Sequence, residues 1–164
     1  MTSLLRQFFY PSMNKRFFLR LALVSLVSYL VFGYLLLPLR IEGVSMEPTY
    51  HDGSFAFCWR LNYVLSSPQR FDVVAVRFAG RHVMLLKRII ALPGETLEYR
   101  HGKLYINAQL LEEPYVSYNS QWNLPERTVA PGKVYIIGDN RGVPMERHKI
   151  GQVSMKRIVG GVVF

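Results

Sequence analysis

From Leu21 to Leu39 the chain runs 19 residues, LALVSLVSYLVFGYLLLPL, without a charged side chain. As an α-helix rising 1.5 Å per residue it would span roughly 28 Å, close to the ~30 Å of bilayer hydrocarbon. Two readings compete for such a segment, a membrane anchor and a cleaved signal peptide. A signal peptide has a shorter apolar core, roughly 7–15 residues, followed by a small-residue cleavage site. Here the core is longer and runs into Leu36-Leu37-Pro38-Leu39-Arg40, which offers no such site. An uncleaved transmembrane helix over residues 21–39 is therefore expected. The first 41 residues hold Arg6, Lys15, Arg16, Arg20 and Arg40 and no acid, a charge of +5, and four of these five bases precede the apolar run. The excess of bases on that side keeps residues 1–20 in the cytoplasm and sends residues 41–164 to the exported side. The expectation is a single-pass protein of the cell (inner) membrane.

The formal net charge of the 164 residues is +9, and residues 42–164 contribute +4 of it, from 15 bases and 11 acids. A basic balance can mean nucleic acid. Anionic lipid headgroups beside the anchor explain it more simply, so the expected partner is the lipid bilayer and not nucleic acid. The one cysteine, Cys58, lies in a strand-like run, Ser54-Phe55-Ala56-Phe57-Cys58-Trp59. It cannot form an intrachain disulfide, and a buried, inert thiol is expected. His51, His82, His101 and His148 show no metal-ligand spacing, so no metal and no cofactor is expected.

Beyond residue 41 the pattern is that of β structure. Residues 71–78 and 83–90 are rich in β-branched and other apolar side chains, and the second run is broken by Leu92-Pro93-Gly94. Thr96–Tyr99 and Lys103–Ile106 flank Arg100-His101-Gly102 as a hairpin would. Residues 113–132, with Pro114, Asn119, Asn123, Pro125, Pro131 and Gly132, read as a long loop or small insertion. Val134–Ile137 and Ile158–Phe164 read as two further strands. No long segment of helical period follows residue 41.

Chemistry enters with Gly43-Val44-Ser45-Met46-Glu47-Pro48-Thr49, just past the apolar run. A serine in a constrained loop is a candidate nucleophile, but its hydroxyl is weak until a base takes its proton. Lys87 is the odd residue of its run, after Val83-Met84-Leu85-Leu86 and, with Arg88, before Ile89-Ile90. Read alone, it is an exposed lysine on an edge strand. Held against apolar walls, it would lose charge more easily, because burial disfavours the ammonium. A lysine brought down to roughly 7–8 can act as a general base. Serine–lysine pairs are a known replacement for the serine–histidine–aspartate arrangement.

Three ordered blocks resemble those of the type I signal peptidases, membrane-bound serine–lysine proteases that remove signal peptides. Ser45–Thr49 resembles the nucleophile box, Lys87–Glu95 the lysine box, and Gly138-Asp139-Asn140-Arg141 the C-terminal box. The separation of 42 positions from Ser45 to Lys87 and the preceding apolar run fit as well. Phe71-Asp72-Val73-Val74 and Gly102–Asn107 are also similar to the family. The resemblance covers residues 17 to 164 and implies a mainly β fold, one N-terminal transmembrane helix followed by a domain of packed, coiled antiparallel sheets. It implies Ser45 as nucleophile, Lys87 as general base, and the Ser45 backbone N–H as an oxyanion donor. Gly43 stands where some members place a serine hydroxyl donor, so only backbone is available there. Met46, Leu85 and Leu86 match residues that line the substrate cleft, which accepts small side chains one and three positions before the cut. Gly138 matches a glycine that leaves room beside the lysine. Asn140 belongs to the same supporting box, and Asp139 and Arg141 match structural residues expected to pair with one another.

After Arg141 the chain departs from the family. Pro144 stands where a serine hydroxyl would orient the lysine, and Glu146 and His148 stand for an aspartate and an arginine. Glu146 is expected to point away from the site and to pair with Arg141 or Arg147. The implied activity is cleavage of signal peptides from exported preproteins. The alternatives are a peptidase dedicated to one secretion or conjugation pathway and, further off, an anchored β-module that binds envelope partners. Self-cleaving repressors share the serine–lysine chemistry but carry a DNA-binding domain where this chain has its apolar run.

Overall fold

The computed structural model describes residues 13–64, 66–79, 83–118, 120–148 and 151–163. Arg6, Leu65, Gly80, Arg81, His82, Asn119, Lys149, Ile150 and Phe164 are among the positions outside that set. The chain divides between Leu37 and Pro38 into two compact units.

The first unit is helical. Helix α1 (Lys15–Leu30) begins six residues before the uncharged run, because Asn14 caps it: the Asn14 side chain accepts a hydrogen bond from the Phe17 N–H at 2.9 Å. A π-helical turn, Val31–Leu35, continues it. Together, Lys15–Leu35 make 21 residues with a mean hydropathy of 1.9 over their most apolar window, roughly 31 Å of helix. Among the described residues no side chain of this segment is buried. The end of the expected 21–39 helix is instead strand β1 (Leu36–Arg40). Pro38 explains the switch, since it offers no N–H and forces the residue before it into an extended conformation.

The second unit is β structure. A seven-stranded antiparallel sheet has the order β1-β2-β11-β3-β4-β9-β10, with β2 Phe55–Trp59, β3 Val73–Ala79, β4 Val83–Ala91, β9 Lys133–Ile137, β10 Gly151–Ser154 and β11 Ile158–Val163. A four-stranded sheet, order β7-β6-β5-β8, holds β5 Thr96–Arg100, β6 Lys103–Ile106, β7 Gln109–Leu111 and β8 Leu124–Thr128. The expected hairpin is β5–β6. Its two turn residues, His101 and Gly102, both take positive φ, as a type I′ turn requires. Asn107 and Ala108 repeat the device between β6 and β7.

Strands β4 and β9 are buried on both faces, which accounts for their unbroken apolar runs. Ile90, Tyr135 and Ile137 join the core shared with Leu97, Leu104 and Trp122, while Ile89, Val134 and Ile136 pack with Val74 and Val76. Cys58 is fully buried, as expected, and burial pushes its thiol up to about 11, so the thiolate is scarce at neutral pH. The interval 113–132 is not all loop, since β8 lies within it and pairs with β5. Pro125 obscures that strand in the sequence, yet β8 is a sheet edge, the one place where a strand tolerates proline.

Candidate active site

Side chains alternate along a strand, so Leu85 and Lys87 share one face of β4 while Leu86 and Arg88 share the other. β3 pairs Val74 with Lys87, and β9 pairs Ile137 with Arg88. The next residue after β9, Gly138, is thereby set beside Lys87. The loop 43–49 closes over this point. Lys87, only 3% exposed, donates from Nζ to Ser45 Oγ at 2.6 Å.

Three groups hold the serine loop in place. Gly43 has φ +90, and its N–H donates to Asp52 Oδ1 at 2.7 Å. Gly43 thus supplies the positive φ of the turn, and its N–H is held by Asp52. The Ser45 N–H makes no hydrogen bond among the described residues. Asn140 grips the loop twice: its backbone N–H donates to the Ser45 carbonyl at 3.1 Å and its Nδ2 to the Val44 carbonyl at 3.1 Å. The third group is Asp139, whose Oδ2 accepts from Thr49 Oγ1 at 2.6 Å.

Asp139 and Arg141 do not pair with each other. Asp139 is fully buried and accepts from Arg88 Nε at 2.8 Å and Nη2 at 2.5 Å. Arg141 instead makes a two-pronged contact with Glu113 at 2.7 Å on both oxygens, and also donates to the Tyr99 hydroxyl. Residues 138–141 lie past the end of β9 and outside any strand, so the two side chains are not held on one face. Glu146 is exposed, and among the described residues it pairs neither with Arg141, which turns to Glu113, nor with Arg147.

An open cavity of about 210 Å³ lies against Ser45 and Lys87, lined also by Gly43, Val44, Leu85, Val143, Arg147 and His148. Leu85 is where the cleft was expected. Leu86, on the far face of β4, does not line this cavity, and Met46 is buried under its own loop at 1% exposure. His148 was seen in the sequence only as a departure from a family pattern. Here it is buried, its ring set edge-on to Trp122 with centroids 4.9 Å apart. Burial, then the charge of Lys87, pushes its pKa down to about 4, so the ring is neutral at neutral pH. No local sequence signal marks Glu113, Val143 or Arg147, whose places depend on long-range packing.

A family model, "Signal peptidase, peptidase S26", matches residues 14–164. The chain belongs to this signal peptidase family. Signal peptidase I V of Bacillus subtilis (strain 168) is 31% identical over 163 residues, covering 90% of this chain and 96% of that protein. Signal peptidase IB of Staphylococcus aureus is 29% identical over 162 residues, covering 88% and 84%. Among solved structures, a signal peptidase I from Enterococcus faecalis V583 superposes with a TM-score of 0.50 at 30% identity, over 60% of this chain and 98% of that one. The protein is thus a signal peptidase I type hydrolase with the mainly β fold and N-terminal apolar helix of that family, acting in signal-peptide cleavage.

Gly138 shows how little room the signal peptidase site has. A Cβ there would stand 2.2 Å from the Ser45 carbonyl oxygen and 3.2 Å from Lys87 Nζ. The first contact is with backbone, which cannot swing away, so Gly138→Ala must displace the serine loop. A shift near 1 Å costs on the order of 10²-fold in rate. Preprotein cleavage by Gly138→Ala should fall by about that factor, with KM little changed. Wild-type kcat in the variant would show that the loop gives way without cost.

Proposed function

We propose that this signal peptidase is a membrane-anchored serine endopeptidase that works through a Ser45–Lys87 dyad. The observation that carries the reading is the 2.6 Å contact between Lys87 Nζ and Ser45 Oγ beside an open cavity. With the lysine as free amine, the same contact runs in reverse: Nζ takes the hydroxyl proton as Oγ attacks the scissile carbonyl carbon. The carbonyl oxygen gathers negative charge, and the Ser45 N–H, which has no internal partner, is the donor that meets it. The lysine then returns the proton to the departing amine, the new N-terminus of the mature protein. A water molecule gives its proton to Lys87, attacks the acyl-enzyme and releases the signal peptide with Ser45 restored.

The Lys15–Leu35 helix is the anchor in this reading. It is long and apolar enough to cross a bilayer, with Lys15, Arg16 and Arg20 at its start favouring a cytoplasmic N-terminus and an exported catalytic unit. Small residues one and three positions before the cut fit a cleft walled by Leu85. A narrower, dedicated substrate range is the second reading, favoured by the chain's own sequence from Gly142 to His148 on the cavity wall. The test is cleavage of a panel of preproteins by the detergent-solubilised full chain and its Ser45→Ala variant. Wild type should cut after small residues and the variant should not cut at all; a variant that still cuts at the same bonds removes Ser45 from the chemistry.

A further inference from the structure

We propose that Arg147 is a specificity residue of the catalytic cavity, selecting substrates with a carboxylate side chain within the first two residues after the cut. The inference rests on the dyad reading above, because it takes the scissile bond to lie at Ser45. Arg147 lines the 210 Å³ cavity that Ser45 and Lys87 share, and it is exposed. Among the described residues it has no ion-pair partner, whereas Arg70, Arg88, Arg100 and Arg141 all do.

No acid is among the described residues that line the cavity. Of the carboxylates on or beside the serine loop, Asp52 accepts from the Gly43 N–H and Asp139 is taken by Arg88 and Thr49, while Glu42 and Glu47 do not line the cavity. Glu146, the neighbour of Arg147, lines two other cavities, on the far side of its loop. His148, also on the wall, is neutral at neutral pH. The cavity therefore presents the Arg147 guanidinium with no acid among its described lining residues, which favours a carboxylate on whatever enters.

Geometry limits where on the substrate the charge acts. A space of 210 Å³ is about 7 Å across, room for about two residues of extended chain at about 3.4 Å each. The residues before the cut are assigned to the Leu85 side, on β4. Arg147 comes from the loop 142–148 and not from β4, and is assigned to the residues after the cut.

The test uses the full chain in detergent with peptide substrates that keep alanine one and three positions before the cut. Asp, Asn or Lys is placed in turn two positions before it, one after it and two after it. Wild type should prefer Asp to Lys by about five- to tenfold in kcat/KM at one of the two positions after the cut, as expected for one partly exposed charge. The preference should shrink as salt rises. Arg147→Gln should bring the ratio to about one, and Arg147→Glu should invert it, with melting temperatures confirming that both variants fold. A wild-type ratio near one at both positions overturns the proposal. So does a preference found only before the cut, or a ratio that survives in folded Arg147→Glu. If Ser45→Ala cuts these peptides at the wild-type rate, the dyad reading fails instead, and that result is separate from the Arg147 ratios.

Discussion

Lys87→Ala should leave on the order of a thousandth or less of wild-type kcat on a preprotein, and Lys87→Arg should do no better. The first loss follows from the single contact that activates Ser45, 2.6 Å from Nζ to Oγ. Without it the hydroxyl must lose its proton to water while attacking, and the departing amine has no acid to protonate it. The arginine variant keeps the positive charge and most of the bulk, so it separates charge from basicity. Arginine stays protonated and cannot accept the serine proton. Nucleophile and base act as a unit, so Ser45→Ala combined with Lys87→Ala should be no worse than either change alone. The measurement is single-turnover cleavage, which excludes slow product release. Activity in Lys87→Ala within tenfold of wild type would place the base elsewhere. His148 lines the same cavity, but with a pKa of about 4 it is a weak base at neutral pH.

Ser45 and Lys87 stand out in the sequence because each interrupts a pattern, but it is the three ordered blocks that turn Lys87 from an exposed edge-strand lysine into a candidate base. Lys87 is a cation inside an apolar strand, and Ser45 sits in a turn fixed by Gly43 and Pro48. The β strands are legible for a related reason, since alternation and turn residues are local properties. What the sequence does not show is pairing over distance. Asp139 and Arg141 are two positions apart and of opposite charge, which invites pairing them. Their partners are Arg88 and Glu113, reached across 51 and 28 positions. The start of α1 is missed because hydropathy counts charges, whereas a helix begins at its cap, here Asn14. Strand β8 is missed because Pro125 excludes a central strand but not an edge. Leu85 and Leu86 look equivalent in sequence, and only the facing of β4 toward Ser45 tells them apart.

Asp139→Ala should be the most destabilising single change near the site, lowering the melting temperature of the catalytic unit by roughly 10–20 °C. The side chain is fully buried and takes three hydrogen bonds, two from Arg88 and one from Thr49. Removing it strands the Arg88 guanidinium, itself 8% exposed, against the Tyr115 ring at 4.0 Å with only the Phe71 carbonyl left as acceptor. An uncompensated buried charge costs about 3–5 kcal/mol, a large part of the 5–15 kcal/mol typical of a whole domain. The penalty belongs to the orphaned charge rather than to the lost attraction. Asp139→Leu combined with Arg88→Met should therefore recover most of the melting temperature, because apolar groups of similar volume replace a buried pair at little net cost. Activity should not recover with it. Asp139 also tethers Thr49, and so joins the serine loop to the strand that carries Lys87. In the double variant that tether is gone, and Ser45 is held by Asn140 alone from that side. A double variant that regains both stability and kcat would reduce Asp139 to a charge partner for Arg88. A single Asp139→Ala variant melting within 2–3 °C of wild type, equivalent to less than about 1 kcal/mol, would mean that Arg88 finds solvent when its partner is removed.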